Sequence, residues 1–339
     1  MATNSIAFAK NYTGIVDEVY KKASVSSCLD SGRRMVRAGR NAHEIMIPKI
    51  EVSGLGDYTR NVGYKTGAIS YEFETKAFNY DRGIRLLADV MDVEEAGVLD
   101  CFVEAGSELM RTQVAPEADA FTFAQIASHS GVKTEDKDYS GAEAADVLAD
   151  LRKVTNEMDE DEVTAGGRIL FITPTLKGIL DDFSLANPAR SNRVLERFGR
   201  IVEVPQARFY SSIDLMSGSG DRFGYMRGSG AYVPTADTSV VSGKTYYTRS
   251  GDLFDTVAQP TKANLSTYYE FTGAGCPLNF LVVEKSAVIK YDKHVASRVF
   301  SPDELESLDS YMMKYRKYGI VELFDNKLAG VRVSKNSKG

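Results

Sequence analysis

The strongest structural signal in this chain is an alternation of apolar and polar residues between two glycine-rich breaks. Ile69, Tyr71 and Phe73 fall on one side of an extended strand, and the residues between them are serine and glutamate. An apolar run that starts at Ile45 predicts the first strand of a long hairpin over residues 45–78. Because an isolated two-stranded hairpin is marginal in water, its apolar face must lie on another surface. That surface is either the core of the same chain or a neighbouring copy.

The rest of the chain mixes helical and extended patterns, which predicts an α+β fold with about two domains. Residues 229–272 are rich in Thr, Ser, Tyr and Val, and they predict a small all-β insertion. The other predicted elements are a long helix capped by Asp92 and ending near 114–116, a helix opened by a capping box at 140–143, a strand at 169–172, a helix from Pro174, a helix from a capping box at 301–304 to Tyr315, and a terminal hairpin over 320–333.

Charge is unevenly distributed along the sequence. Residues 1–40 hold seven basic and three acidic residues, and residues 311–339 hold seven basic and two acidic ones. Between them, residues 134–162 hold eleven acids and three bases. One interpretation is solvated faces and tails, and the other is contact between unlike charges on different copies of the chain. The net charge of −6 argues against a dedicated nucleic-acid binder, because such proteins need a basic surface.

No motif for catalysis, cofactor binding or metal binding is evident. The glycine-rich stretch 216–224 has neither the dinucleotide spacing nor the P-loop Lys-Ser/Thr, and the three histidines are isolated. The three cysteines form no CxxC pair, which fits a reducing cytoplasm. We expect no secretion signal, no membrane span, no cofactor, no metal and no enzymatic activity.

The order of these segments resembles the major capsid proteins of tailed bacteriophages, which have the Hong Kong 97-like fold. The resemblance spans almost the whole chain and is carried by the order of five stretches, namely 72–78, 118–124, 169–175, 200–205 and 315–324.

The resemblance implies a division of the chain into named parts. These are an N-terminal arm at 1–40, an extended E-loop at 41–85, a peripheral domain with a long spine helix at 86–135 and 295–339, an axial domain at 136–294, and the β-rich insertion at 229–272 within the axial domain.

The resemblance also implies a function and a set of contacts. The chain would assemble into hexamers and pentamers of an icosahedral head shell that encloses double-stranded DNA, made in the host bacterial cytoplasm and located in the virion. Partners would be further copies, a separate scaffolding protein, a portal protein at one vertex, and DNA in non-specific contact. The expected inter-subunit residues are Ile69, Tyr71 and Phe73 in the E-loop and Lys21, Lys22, Arg33, Arg34 and Arg37 in the arm.

Three alternatives remain open from the sequence. The same fold could form an encapsulin-like nanocompartment with a protein cargo. An α/β enzyme could assemble its site from scattered residues, and the β-rich window could belong to a phage decoration protein or adhesin.

Overall fold

A computed structural model describes residues 23–31, 37–38, 44–58, 60, 63–91, 106–186, 193–241, 245–250, 253–304 and 309–336. The chain divides into two compact units. The described residues of the first lie within Leu29–Gly106 and Ile289–Glu322, and those of the second lie within Asp17–Cys28, Ser107–Val288 and Leu323–Gly339. Among the helices of the described residues, none combines the length and the hydropathy needed to span a bilayer.

The described residues form strands, three α-helices and short 3-10 turns. The strands are β1 (Arg37–Ala38), β2 (Glu44–Val52), β3 (Ile69–Ala77), β4 (Tyr80–Asp89), β5 (Lys133–Asp136), β6 (Arg168–Ile172), β7 (Arg200–Glu203), β8 (Ile213–Leu215), β9 (Tyr225–Arg227), β10 (Ser229–Pro234), β11 (Tyr247–Ser250), β12 (Leu253–Thr256), β13 (Tyr268–Ala274), β14 (Leu278–Glu284), β15 (Val288–Phe300), β16 (Ser310–Leu323) and β17 (Val331–Lys335). The helices are α1 (Ala115–Ser128), α2 (Ala144–Glu160) and α3 (Pro174–Ala186).

The first unit contains two three-stranded sheets, with strand orders β1-β2-β3 and β15-β16-β4. Strands β2 and β3 pair antiparallel over their full length, from Glu44 opposite Ala77 to Val52 opposite Ile69. The predicted hairpin therefore forms. Strand β16 pairs antiparallel with β4, from Ser310 opposite Asp89 to Gly319 opposite Tyr80.

Two sequence predictions near the C-terminus are wrong. Among the described residues, the capping box at 301–304 is followed by a 3-10 turn at Pro302–Glu304, and the residues from Ser310 to Tyr315, predicted to be helical, lie in β16. Along this strand Tyr315 and Lys317 are buried while Lys314 and Arg316 are exposed, which is the period of two that long-range pairing with β4 selects over the local helix signal. The predicted hairpin over 320–333 does not form either, because β16 and β17 belong to different sheets.

The second unit is built on a five-stranded sheet of order β5-β17-β14-β6-β7. All five residues of β6 are buried, as expected for a central strand covered on both faces. On one face, Leu170 and Ile172 pack with Leu151 and Met158 of α2 and with Leu180 of α3.

The other face of this sheet is covered from α1. The ring of Phe123 meets those of Phe171 and Phe209 edge-on, at centroid distances of 5.0 and 5.1 Å. Successive side chains of β6 point to opposite faces of the sheet. This one five-residue strand therefore packs against helices on both faces.

Two predicted helix boundaries are shifted. Helix α2 begins at Ala144 with a capping box between Glu143 and Asp146, three residues after the predicted box, because Gly141 has a φ of +76° that no helix can include.

The long helix does not end at 114–116. Helical backbone continues from 106 to 128 through a π-helical turn at Met110–Val114, and Pro116 is tolerated in the turn that follows. Residues 92–105, including the predicted Asp92 cap, lie outside the described residues.

The β-rich window forms one antiparallel sheet of order β10-β13-β11-β12. A small core of Tyr246, Leu265 and Tyr268 lies on one of its faces, beside the 3-10 turn Lys262–Thr267.

Candidate intersubunit surface

The hairpin of β2 and β3 is closed at its far end by one serine. Ser53 N donates to Ala68 O at 3.0 Å, and Ser53 Oγ donates to the same oxygen at 2.8 Å. Ala68 N in turn donates to Ser53 Oγ. Between these two residues lies the tip loop, of which residues 54–58, 60 and 63–67 are described. The strands below the tip are held rigidly by a continuous ladder, so they can present side chains in a fixed array.

The apolar side chains predicted to lie on one face of β3 are exposed. Ile69 is 74% exposed, Tyr71 is 54% exposed and Phe73 is 40% exposed. The rings of Tyr71 and Phe73 touch edge-on at 5.1 Å, as expected for residues two apart on one face of a strand. These three side chains therefore lie outside the buried core formed by the described residues, which favours the second of the two interpretations, contact with a neighbouring copy.

The tip loop adds apolar surface that sequence reasoning missed. Leu55 and Tyr64 are almost wholly exposed, and Val52 and Tyr58 are largely so. The rings of Tyr58 and Tyr64 lie 4.9 Å apart. The signal was present, since two tyrosines, a leucine and a valine stand in a turn otherwise made of glycine and polar residues.

The opposite face of β3 is polar. Glu74 pairs with Lys76 at 2.8 Å, and Glu72 is exposed beside Ser70. Strand β3 is thus amphipathic, with polar and charged side chains on one face and a row of exposed apolar side chains on the other. Contiguous exposed apolar surface of this kind marks a contact site.

The basic residues expected to contact other copies are mostly outside the described residues. This holds for Lys21, Lys22, Arg33 and Arg34. Arg37 lies in β1, where it stands opposite Met46 of β2. The arm therefore reaches the base of the hairpin at one point, and the role of its positive charge stays a prediction.

Several acids of segment 134–162 form ion pairs within their own chain. Asp150 pairs with Lys137, Asp159 with Arg168, and Asp161 with Arg332. A hydrogen bond from Arg332 lowers the pKa of Asp161, and a hydrogen bond to Glu135 raises the pKa of Lys153. These pairs account for much of the local charge without a second copy.

Two further shifted pKa values belong to tyrosines that are wholly or partly buried. Burial, reinforced by a hydrogen bond to Asp150, raises the pKa of Tyr139, and burial raises that of Tyr225. The described part of the chain holds no group of three or more His, Cys, Asp or Glu side chains arranged to bind a metal ion.

One fully buried carboxylate, Asp119 of α1, was also missed from the sequence. It accepts hydrogen bonds from Ser24 Oγ at 2.7 Å and Ser26 Oγ at 2.6 Å. It also accepts from the amides of Val25 and Ser26, at 3.0 and 3.1 Å, and from Arg208 Nη1 at 3.2 Å. An aspartate flanked by alanines in an apolar helix was the available signal. Its partners are structural, so it clamps residues 24–26 onto α1.

Comparison with known proteins shows which solved structures have a similar architecture. The sequence matches no protein-family model and no curated protein. The capsid structure of Cyanophage P-SCSP1u is similar, with a TM-score of 0.52 and 13% identity over 89% of this chain and 85% of that one. The mature capsid of bacteriophage PhiM1 gives a TM-score of 0.50 and 14% identity over 88% and 83%. A virus-like particle from Pyrococcus furiosus gives 0.54 and 10% over 96% and 99%.

At these identities the likeness establishes the fold. The chain has the mixed α+β fold of tailed-phage major capsid proteins, which confirms the resemblance drawn from the order of its segments.

Proposed function

We propose that this chain is the major capsid protein of a tailed bacteriophage, which assembles into an icosahedral head shell around double-stranded DNA. The observation that carries the proposal is the exposed apolar row Ile69, Tyr71 and Phe73 on a rigid hairpin, in a chain with a phage capsid fold. A single copy leaves this row in water, whereas a neighbouring copy can bury it.

The proposal includes the subdivision of a Hong Kong 97-like subunit. Residues 1–40 are the N-terminal arm and 41–85 the E-loop. The peripheral domain is 86–135 with 295–339, and the axial domain is 136–294, with 229–272 as an accessory insertion. In support, the hairpin of β2 and β3 occupies the E-loop range, and the continuous helix at 106–128 occupies part of the spine-helix range.

Further copies in hexamers and pentamers are the principal partners in this proposal. A separate scaffolding protein and a portal protein at one vertex complete the assembly, and the product resides in the virion. The shell encloses DNA without binding it tightly or sequence-specifically, because a chain of net charge −6 lacks the basic surface that tight binding needs. The role is structural and involves no catalysis.

A second candidate is a nanocompartment shell of the encapsulin type, with a protein cargo. The likeness to the Pyrococcus furiosus virus-like particle, which spans nearly the full length of both chains, favours it. The two candidates share the assembly surface and differ in what the shell contains. The decoration-protein and enzyme alternatives have no comparable support.

Electron microscopy of the purified chain, alone and with candidate scaffolding proteins, tests the proposal. We expect closed icosahedral or tubular shells. A chain that stays monomeric under all these conditions would contradict the shell function. Nuclease-protected double-stranded DNA in native particles separates the capsid from the nanocompartment, whose particles would instead retain a protein.

A further inference from the structure

The sheet of order β10-β13-β11-β12 carries a cluster of aromatic rings on one face. Alternate residues of its strands point to the same side. We call this side the aromatic face, and its rings belong to Tyr232, Tyr247, Phe254, Tyr269 and Phe271.

These rings contact one another across the strands. Tyr232 stands opposite Phe271, and their centroids lie 4.9 Å apart. Tyr232 also stacks on Phe254 at 4.0 Å, with only 6° between the ring planes. Phe254 meets Tyr269 edge-on at 5.2 Å. The cluster is ordered by its own contacts, yet 36% of Tyr232 and 42% of Phe271 remain exposed.

Gly230 explains how Phe271 reaches this position. Its φ of +71° favours glycine, and a Cβ there would come within 2.6 Å of the Phe271 ring. The ring therefore lies directly over the backbone of β10, which keeps it on the aromatic face.

The other face of the sheet is covered in part. Tyr246, Leu265 and Tyr268 are nearly inaccessible and form the small core of this sheet. The sheet thus has a small core on one side and, on the other, a ring cluster that leaves part of Tyr232 and Phe271 exposed.

The composition of the aromatic face identifies the class of partner. Besides the five rings, the register places Gly230, Pro234, Arg249, Thr256 and Gly273 on this side. Among the described strand residues on this side there is one cation, and there is no lysine and no acid. Cores of protein–protein interfaces are enriched in Tyr, Phe and Arg and depleted in Lys, Glu and Asp. Nucleic acid would call for several cations, and a sugar would call for carboxylates or amides to bind its hydroxyls.

The size of the face indicates which protein. Four strands about 4.8 Å apart and about 14–20 Å long give roughly 300 Å². A freely diffusing partner needs about 800 Å² on each side for a stable complex. A smaller contact suffices between subunits that other contacts already hold together, because their effective concentration is high. We propose that the aromatic face packs against a second copy of this chain within the assembled shell, an inference that rests on the proposed function.

Hydroxyl-radical footprinting of shells assembled from the purified chain tests this contact. Labelling of Tyr232 and Phe271 is compared between free subunits and shells. We expect it to fall several-fold in shells. Leu253, which is 72% exposed on the opposite face, serves as the internal reference, and its labelling should stay unchanged.

Each other outcome has a distinct meaning. Shells that form with unchanged labelling of both rings would overturn the inference and leave the shell function intact. Protection that requires a second, different protein would overturn it in favour of that partner. If no shells form under any condition, the proposed function fails and the inference fails with it.

A pair of variants adds a second measurement. The double change Tyr232→Ser and Phe271→Ser removes ring contacts within the sheet, so it should destabilise the free subunit to some extent. It should lower the denaturant concentration at which shells dissociate by more than it lowers the one at which the free subunit unfolds. Leu253→Ser is the matched control and should leave dissociation unaltered. Equal effects of the two variants on dissociation would contradict the proposed contact.

Discussion

Asp119 is a charged side chain with no access to solvent, held in the middle of α1. Burying a carboxylate is costly unless its oxygens accept enough hydrogen bonds. Here two serine hydroxyls, two backbone amides and the Arg208 guanidinium supply them. The residue therefore ties residues 24–26, which lie within the predicted arm, to α1.

Replacing Asp119 by asparagine should lower the free energy of unfolding by about 2–4 kcal/mol, because an amide group presents two donors where donors already converge and leaves Arg208 without its counter-charge. Urea unfolding of the free subunit measures this loss. Glu108→Gln, on the exposed side of the same helical segment, is the control and should cost far less. Similar losses for the two variants would mean that Asp119 does not act as a clamp.

Asp161 makes stability depend on pH. Its pKa is lowered, chiefly by the hydrogen bond from the buried Arg332. The unfolded chain therefore binds this proton at higher pH than the folded one. The stabilisation is complete above the ordinary aspartate pKa of about 3.9 and is lost as pH falls through the folded value.

Asp161→Asn should therefore lower the free energy of unfolding at neutral pH. In this variant, the free energy of unfolding should also fall less steeply as the pH is lowered. Urea unfolding at a series of pH values from about 2 to 7 measures both effects. The exposed Glu160→Gln is the matched control. If the free energy of unfolding falls as steeply at low pH in Asp161→Asn as in the parent chain, Asp161 is not the source of the pH dependence.

Among the elements, strands with a clear alternation were predictable and helices near glycine or proline were less so. Residues 69–73 show a period of two that no helix shares, and β3 forms there. The helix starts predicted from the capping boxes at 140–143 and 301–304 were not correct, because a capping box reflects only the local sequence. Gly141 overrides the first through its positive φ, and pairing with β4 overrides the second.

The hairpin provides the prediction at this scale. Changing Ile69, Tyr71 and Phe73 together to serine should prevent shell formation, because all three are exposed in the single chain and their apolar surface is then available only to a neighbour. The monomer fold should be retained, since no core contact is removed. Circular dichroism and electron microscopy measure the two effects.

The control for this change lies on the opposite face of the same strand. Ser70→Ala with Glu72→Ser alters β3 to a similar extent and should still assemble. Normal shells from the triple serine variant, or equal failure of the control, would count against the apolar row as an assembly surface.

For the whole molecule, composition predicted an ordinary two-domain chain, but it could not show which charged residues pair with each other. Arg332, from the basic C-terminal run, is buried against Asp161 of the acidic segment, and the buried Lys317 pairs with Asp292. These contacts join residues far apart in sequence, and only the fold brings them together. The apolar row of the assembly surface was predictable because it depends on a local period, whereas the Asp119 clamp depends on three distant segments.

The last prediction concerns how separable the β-rich sheet is from the rest of the second unit. Strand β13 extends to Ala274, and just below the sheet Gly275 N donates to Gly228 O at 2.9 Å while Gly228 N donates to Ser212 O at 3.0 Å. The two glycines are thus already adjacent, and excising 229–274 so that Gly228 continues into Gly275 needs little rearrangement.

The excised chain should stay soluble and keep the five-stranded sheet, because the core of that sheet and the small core of Tyr246, Leu265 and Tyr268 share no residue. Thermal unfolding and circular dichroism measure retention of the fold, and dissociation of shells in denaturant measures assembly. A matched excision of 133–136, which removes β5 from the five-stranded sheet, should abolish soluble protein. If both excisions abolish it, the sheet at 229–274 is an integral part of the second unit. If only the first is tolerated and its shells dissociate more readily than those of the full chain, the sheet serves contacts between copies.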